Sequence, residues 1–387
     1  MGGIHQFVPA LLEGDATGGH VLEIRQLVRS FGLESDIYVE TIDLGLAPRE
    51  ARHFSDYPKT RADGDVLLYH LAVASHLADF LYTRPEPLVI DYHNLTPAQF
   101  FRGWDPRAAL YQVWGRAQVA RLADRAVLAL ADSAFNQAEL VELGYEDTVV
   151  VPILIDLDAF DAKVDEKALD RLAAAKADGG ADLLFVGRIS PNKAQHDLVK
   201  ALLAYRRLYD SAARLHLVGR PQSPVYLAAL RRYVSDLGLS DSVDLAEGVS
   251  QAELAAYYRA ADVLVSCSEH EGFCVPLLEA MHQGVPVVAY GAAAVPETLG
   301  PGGIVLASKA PLVVAAAIDR VIHDARLRSG LVAAGRRRLA DFSPERTRGR
   351  LVEALGRFLP GDGGSGTADA PGSADQPAAS GVGAGPR

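Results

Sequence analysis

Short runs of Val, Leu and Ile recur along the chain, separated by longer stretches in which apolar residues return every three or four positions. The brief apolar runs predict strands buried on both faces, and the three-to-four spacing predicts helices. In the first half, strands are expected at His5 to Leu11, Asp36 to Val39, Asp65 to Tyr69, Leu88 to Tyr92, Ala126 to Ala131 and Thr148 to Ile153. In the second half they are expected at Asp182 to Val186, Arg214 to Val218, Ser242 to Leu245, Val263 to Cys267, Val285 to Tyr290 and Gly303 to Leu306. Helical patterns lie between, clearest at Val21 to Ser30, Leu198 to Leu208 and Pro224 to Leu237. Repeated strand–helix–strand units make parallel sheets with helices on both faces.

The pattern breaks over residues 156–180, a charged, alanine-rich stretch that ends in Asp178-Gly179-Gly180. The expected fold is therefore α/β: two facing, doubly wound, Rossmann-like domains with a cleft between them. The first domain spans 1–155, a linker region 156–180, the second domain 181–343 and a terminal helix 344–360. Such sheets bind ligands outside the carboxyl ends of their strands. The final segment, 361–387, has no aromatic residue and one aliphatic residue larger than alanine, Val382. It is expected to be disordered, because it has too little to bury to offset chain entropy.

Composition narrows the function. At 387 residues the chain has room for two domains, and 49% hydrophobic with 22% charged residues is a globular balance. The net charge of −11 argues against nucleic-acid partners, which need a clustered basic surface, but leaves room for a local basic pocket. No apolar run reaches the ~18–20 residues that span a bilayer. Met1 to Glu13 carries no basic segment and no long apolar core, so no signal peptide and a cytoplasmic setting are expected. Cys267 and Cys274 are too few for a disulfide framework and have no zinc-ligand spacing, so they are expected to be core residues and no metal is expected.

Four constellations carry candidate chemistry. Glu271-Gly272-Phe273-Cys274-Val275-Pro276 follows a buried strand, and Pro276 suits the start of a helix. Glu271 and Glu279 stand eight positions apart, which at 1.5 Å per helical residue separates their backbones by ~12 Å. That is too far to share a proton but suits two ends of an extended ligand. Free N–H groups at the helix start attract a phosphate. A first-turn glutamate also stabilises the helix dipole with no ligand, and this alternative stands for Glu279.

Gly187-Arg188 with Lys193 follows the strand Asp182 to Val186 and brings two cations to a sheet edge, suited to a diphosphate. A solvated loop with two surface charges is the plainer alternative. Gly14 to His20 makes a glycine-rich strand-to-helix turn, with Gly18 and Gly19 placed to lay N–H groups on phosphate or sugar. It is neither a P-loop nor the spaced dinucleotide fingerprint. His93 ends the strand Leu88 to Tyr92 and is aimed at the cleft, with a packed or capping histidine as its alternative; the same holds for His70. The helical run Trp104 to Arg125 mixes aromatic and arginine residues. It reads first as an amphipathic core helix and second as a membrane- or acceptor-facing patch.

The run from Ser268 through Glu279-Ala280-Met281 to Gly284-Val285-Pro286-Val287-Val288-Ala289 resembles the signature of retaining glycosyltransferases of family four, also called group 1. Glu271 and Glu279 match that family's E-x7-E pair, Gly187-Arg188 with Lys193 its diphosphate-binding residues, Gly18-Gly19 its amino-terminal glycine loop and His93 its strand-end histidine. Tyr92 to Pro97 resembles a bacterial envelope-polysaccharide branch.

The resemblance implies the GT-B fold, an acceptor-binding first domain and a terminal helix that crosses back to it. It implies transfer of a hexose from a nucleotide diphosphate sugar, UDP- or GDP-linked, to a glycan, lipid-linked or small-molecule acceptor. Arg188 and Lys193 then bind the diphosphate, Glu279 the ribose and Glu271 the donor sugar. Gly272 and Phe273 supply N–H groups, and His93 contacts the sugar from the other domain. The anomeric configuration is retained, and neither metal nor other cofactor is required. Peripheral membrane contact through the first domain is compatible with this reading. The alternatives are a nucleotide-sugar epimerase of the same fold, or a non-catalytic nucleotide-sugar-binding protein.

Overall fold

The computed structural model describes residues 2–11, 16–42, 50–58, 64–176 and 179–360. Two sets of short strands, their central members buried apolar runs, become two sheets. The first comprises β1 (Ile4–Ala10), β2 (Ile37–Thr41), β3 (Arg52–His53), β4 (Val66–Leu71), β5 (Leu88–Tyr92), β6 (Ala126–Ala131) and β7 (Thr148–Val150), in the order β3-β2-β1-β4-β5-β6-β7. The second comprises β8 (Asp182–Val186), β9 (Arg214–Val218), β10 (Val243–Ala246), β11 (Val263–Ser266), β12 (Val287–Tyr290) and β13 (Gly303–Leu306), in the order β10-β9-β8-β11-β12-β13. The pairings are parallel, as expected of strands covered by helices on both faces. Strand order reverses between β1 and β4 and between β8 and β11, which opens a crevice at the carboxyl ends of each pair.

The differences from expectation have local causes. β3 is two residues long and has no apolar run to announce it; it exists through pairing of Tyr38 with Arg52 and Val39 with His53. The expected strand Thr148 to Ile153 stops at Val150, and Pro152 has no N–H to continue a ladder. The first helix runs Ala16–Ser30, starting five residues before the expected Val21. Gly18 and Gly19 are therefore in its opening turn and not in a loop; Gly14 and Asp15 lie outside the described residues.

Residues 156–180 do more than connect. The helix Glu166–Ala175 buries Ala168 and Leu172 against Ala255 and Tyr258 of the second half. The terminal helix Pro344–Leu355 buries Leu351 and Leu355 among Ile4, Val28 and Leu128 of the first half. Each such leucine contributes roughly 1.5–3 kcal/mol. Ion pairs from Arg348 to Glu23 (2.6 Å) and from Arg357 to Asp147 (2.9 Å) flank this contact. Residues 361–387, expected to be disordered, lie outside the described residues.

Candidate functional site

At the first crevice, parallel register places His70 of β4 beside Asp91 of β5, so both side chains leave the sheet on one face. His93 follows β5 directly and His20 comes from the first helix. His20 Nε2 lies 2.8 Å from Asp91 Oδ2, and His20 Nδ1 accepts the Leu154 N–H at 2.9 Å. His70 Nε2 lies 2.9 Å from Gln6 Oε1, while its Nδ1 lies 3.2 Å from Asp91 Oδ2 and 3.2 Å from His93 Nε2. His93 Nδ1 is 3.1 Å from both carboxylate oxygens of Asp132. Burial pushes the His70 imidazole down to about 4, against the pull of Asp91. Burial opposes ionisation of Asp91, yet His93, His20 and His70 hold its carboxyl well below the usual range. Burial raises Asp132, with His93 opposing.

At the second crevice, β8 ends next to Gly187, whose φ of +150° favours glycine. Arg188 follows it, exposed, and no ion pair engages its side chain among the described residues. Lys193 Nζ lies 2.5 Å from Glu271 Oε2, both side chains largely buried. Glu279 is the fifth residue of the helix Val275–His282 and accepts a hydrogen bond from the Tyr258 hydroxyl at 2.6 Å. Burial raises its carboxyl to about 7, the Tyr258 bond opposing. Two helices begin here, Gln195–Leu208 and Val275–His282. Each is entered through a left-handed non-glycine residue, Ala194 (φ +50°) and Cys274 (φ +75°), neither of which caps the start with its own side chain. Such backbone costs of order 1–3 kcal/mol and clusters at functional sites. The first-turn N–H groups of both helices are largely used within the protein: that of His196 donates to the Tyr226 hydroxyl at 3.3 Å, those of Asp197 and Leu277 donate to the Ala194 and Cys274 carbonyls, and Pro276 has none.

The two crevices meet. Ser133 Oγ donates to the Gly272 carbonyl at 2.7 Å. The Glu297 carboxylate accepts the N–H groups of Ala134 (2.8 Å) and Phe135 (3.3 Å), which begin a first-domain helix. A Cβ on Gly272 would stand 2.6 Å from Asn94 Cβ and 3.2 Å from the His93 carbonyl, so only glycine fits this crossing. The His270 ring lies between Phe100 and Phe135, and burial pushes it down to about 4, which keeps it neutral near pH 7. Trp104 meets Tyr226 edge-on at 5.0 Å.

The structure thus assembles Gly187, Arg188, Lys193, Glu271 and Gly272 at one crevice, with Glu279 further along the helix. The Phe273 ring turns into the core against Phe342, and its carbonyl accepts a hydrogen bond from the Thr298 hydroxyl at 2.6 Å. The His93 ring is directed into its own cluster, and its carbonyl faces Gly272. Gly18 is buried, whereas Gly19 is exposed, with open space where a methyl group would stand. Five residues of the site carried no role in the sequence reading: His20, Asp91, Asp132, Tyr258 and Glu297. Asp91 adjoins the quoted His93, and Glu297 follows Pro296 at a helix start; the others have no local signal. Two cations at a strand end can hold a diphosphate, and carboxylates placed eight residues apart can accept hydroxyl groups from the two ends of an extended ligand.

Among known proteins, the family model "Glycosyl transferases group 1" matches residues 167–338. The D-inositol 3-phosphate glycosyltransferase of Geodermatophilus obscurus is 37% identical over 264 residues, 65% of this chain and 55% of that protein. The GDP-mannose-dependent alpha-(1-6)-phosphatidylinositol monomannoside mannosyltransferase of Mycolicibacterium smegmatis is 30% identical over 267 residues, 65% of this chain and 67% of that protein. The chain thus spans between about half and two thirds of the length of these relatives. Two solved structures share the fold. Anabaena Alr3699/HepE in complex with UDP and glucose has a TM-score of 0.71 at 19% identity, covering 92% of this chain and 99% of that one. WaaG, a glycosyltransferase involved in lipopolysaccharide biosynthesis, has 0.67 at 14% identity, covering 92% and 100%. No helix among the described residues is long and apolar enough to cross a membrane.

Proposed function

The chain belongs to the glycosyl transferases of group 1 and has the GT-B fold, and we propose on that premise that it transfers a hexose from a nucleotide diphosphate sugar to a hydroxyl acceptor with retention at the anomeric carbon. The observation that carries this reading is the second crevice, where Arg188 after β8 is exposed with no ion pair among the described residues and Lys193, on the same strand-to-helix segment, is paired with Glu271. Charge is left there for an anionic ligand. Arg188 and Lys193 neutralise the departing diphosphate, so no metal ion is invoked at that position. Glu279 accepts the ribose hydroxyls, and Glu271 the donor-sugar hydroxyls. Gly272 and Phe273 contribute backbone N–H groups.

Glu271 is held by Lys193, which suits a hydroxyl-binding carboxylate better than a nucleophile. The reading therefore uses same-face attack by the acceptor, the leaving phosphate taking the hydroxyl proton as the glycosidic bond to the diphosphate breaks. His93 shapes the facing wall through its carbonyl. UDP and GDP are the favoured nucleotides, because a structural relative is described with UDP and glucose and a sequence relative as GDP-mannose-dependent. The acceptor is a glycan, a lipid-linked sugar or a small polyol, with the first domain, at a membrane surface or free of it, forming its side of the cleft.

The test is nucleotide release from UDP- and GDP-sugars by the full chain without added divalent cation, with and without candidate acceptors. A ligand at about 100 times its dissociation constant should also stabilise the fold by ~2.7 kcal/mol in a thermal-shift panel. Acceptor-dependent release of one nucleoside diphosphate supports the reading. Interconversion of sugars with no acceptor would favour an epimerase, and nucleotide binding without turnover a non-catalytic binder.

A further inference from the structure

We propose that His70, His93 and Asp91 form a zinc site at the carboxyl edge of the first sheet, distinct from the diphosphate crevice. Three acceptor-capable atoms converge there: His70 Nδ1, His93 Nε2 and Asp91 Oδ2, at mutual separations of 3.2, 3.2 and 3.7 Å. Zinc binds such ligands at about 2.0–2.1 Å, and tetrahedral geometry then puts them roughly 3.3 Å from one another.

The surroundings set the ring protons in the way metal-bound imidazoles require. His70 presents its other nitrogen to Gln6 Oε1, so Nε2 carries the proton and Nδ1 is left as the acceptor. His93 presents Nδ1 to the Asp132 carboxylate, which orients the proton there and turns Nε2 inward. Outer partners of this kind, a carboxylate and an amide oxygen, fix ligand rings in metal sites. His20 has the opposite arrangement. Its Nδ1 accepts a backbone N–H, so Nε2 carries the proton and donates to Asp91. It is therefore an orienting partner and not a ligand.

Charge points the same way. Asp91 is 1% exposed, and a divalent cation gives this buried carboxylate a compensating charge beside two imidazoles that hydrogen bonds already orient. Two imidazoles and one carboxylate suit zinc among the common divalent ions. Asp132, which orients His93, also lines an interdomain cavity of about 300 Å³. An ion there ties β4, β5 and the segment after β5 together, and so holds the wall that meets Gly272.

The inference does not depend on the transfer reaction, because its readout is metal content. The full chain is stripped with a chelator, reloaded with zinc, freed of excess by gel filtration and analysed by elemental mass spectrometry. One zinc per chain is expected, with a raised melting temperature, and cobalt substitution should give the visible absorption of a tetrahedral centre. His70→Gln should abolish retention. Because that variant risks the fold, Asp132→Asn is the second arm: it keeps a hydrogen-bonding side chain of the same size and should weaken zinc affinity ~10–100-fold. His282→Asn removes the exposed Asp158–Asp161–His282 group, which also brings potential ligand atoms together, and should leave one zinc in place. A folded wild-type chain that retains no zinc would overturn the proposal. So would zinc lost with His282→Asn and kept with Asp132→Asn, or an apo protein in which ring-nitrogen NMR at pH 7 finds His93 doubly protonated and unchanged by zinc.

Discussion

The two crevices are built from the same topology and use their polar groups in opposite ways. In the first, three histidines and two carboxylates are turned inward and answer one another within a few ångströms. In the second, Arg188 is exposed and unpaired among the described residues and Glu279 is held near the edge of ionisation. Inward-turned groups suit a cation held among them and a wall built around it; an outward, unpaired cation suits an anionic ligand from solution. That difference assigns donor binding to the second sheet and wall-building to the first, although both present histidine or lysine beside a carboxylate.

The sharpest way to break this contrast is to remove Lys193. Its pair with Glu271 is largely buried, so Lys193→Ala should cost ~3–5 kcal/mol in denaturant unfolding, since it strands a carboxylate, as well as activity. Arg188→Ala should lower turnover by ~10²–10³-fold, as loss of one charge-stabilising donor does, with the melting temperature unchanged because no intramolecular ion pair is lost. Equal destabilisation in both variants would erase the distinction between a structural and a ligand-facing cation.

A pH series probes Glu279. Its folded pKa, about 7, lies above the ordinary value, so its contribution to fold stability declines as pH rises from about 4.5 to about 7. Ribose hydroxyls donating to it favour the ionised form. Nucleotide affinity should therefore rise up to ~10-fold per pH unit below pH 7 and level off above, by calorimetry, and Glu279→Gln should flatten that rise. A rise that survives in Glu279→Gln would move the titrating group elsewhere. The smallest effect is expected where the crevices touch. Glu297→Gln keeps an acceptor but removes the charge from the start of the facing helix, at a cost of ~0.3–1 kcal/mol. It should raise donor KM a few-fold and leave kcat nearly unchanged in initial-rate kinetics.

The legibility of these two regions in the sequence differed for a physical reason. Gly187, Arg188, Lys193, Glu271, Gly272 and Glu279 stand in two contiguous motifs, because a strand end and the helix after it deliver their residues together. The first crevice draws on Gln6 of β1, His20 of the first helix, and His70, Asp91, His93 and Asp132 at or just past the ends of three strands, so no spacing announces it. His93 was recognised as a strand-end histidine, but nothing local says that its ring nitrogens meet Asp132 and His70. Gly18 and Gly19 read as a loop because glycine is a poor helix former; the first helix begins at Ala16 all the same.

Alternation of buried apolar runs with helical periodicity, together with the two motifs, determined the α/β class, most strand positions and the residues of the donor crevice, since these depend on neighbours in the chain. The tertiary structure alone decided which ring nitrogen faces which carboxylate, that Gly272 must pass within a methyl's width of Asn94, and that Glu297 reaches the helix of the opposite domain. Those are contacts between residues up to 178 positions apart (Gly272 to Asn94), where hydrogen-bond direction and close packing act and sequence spacing carries no information.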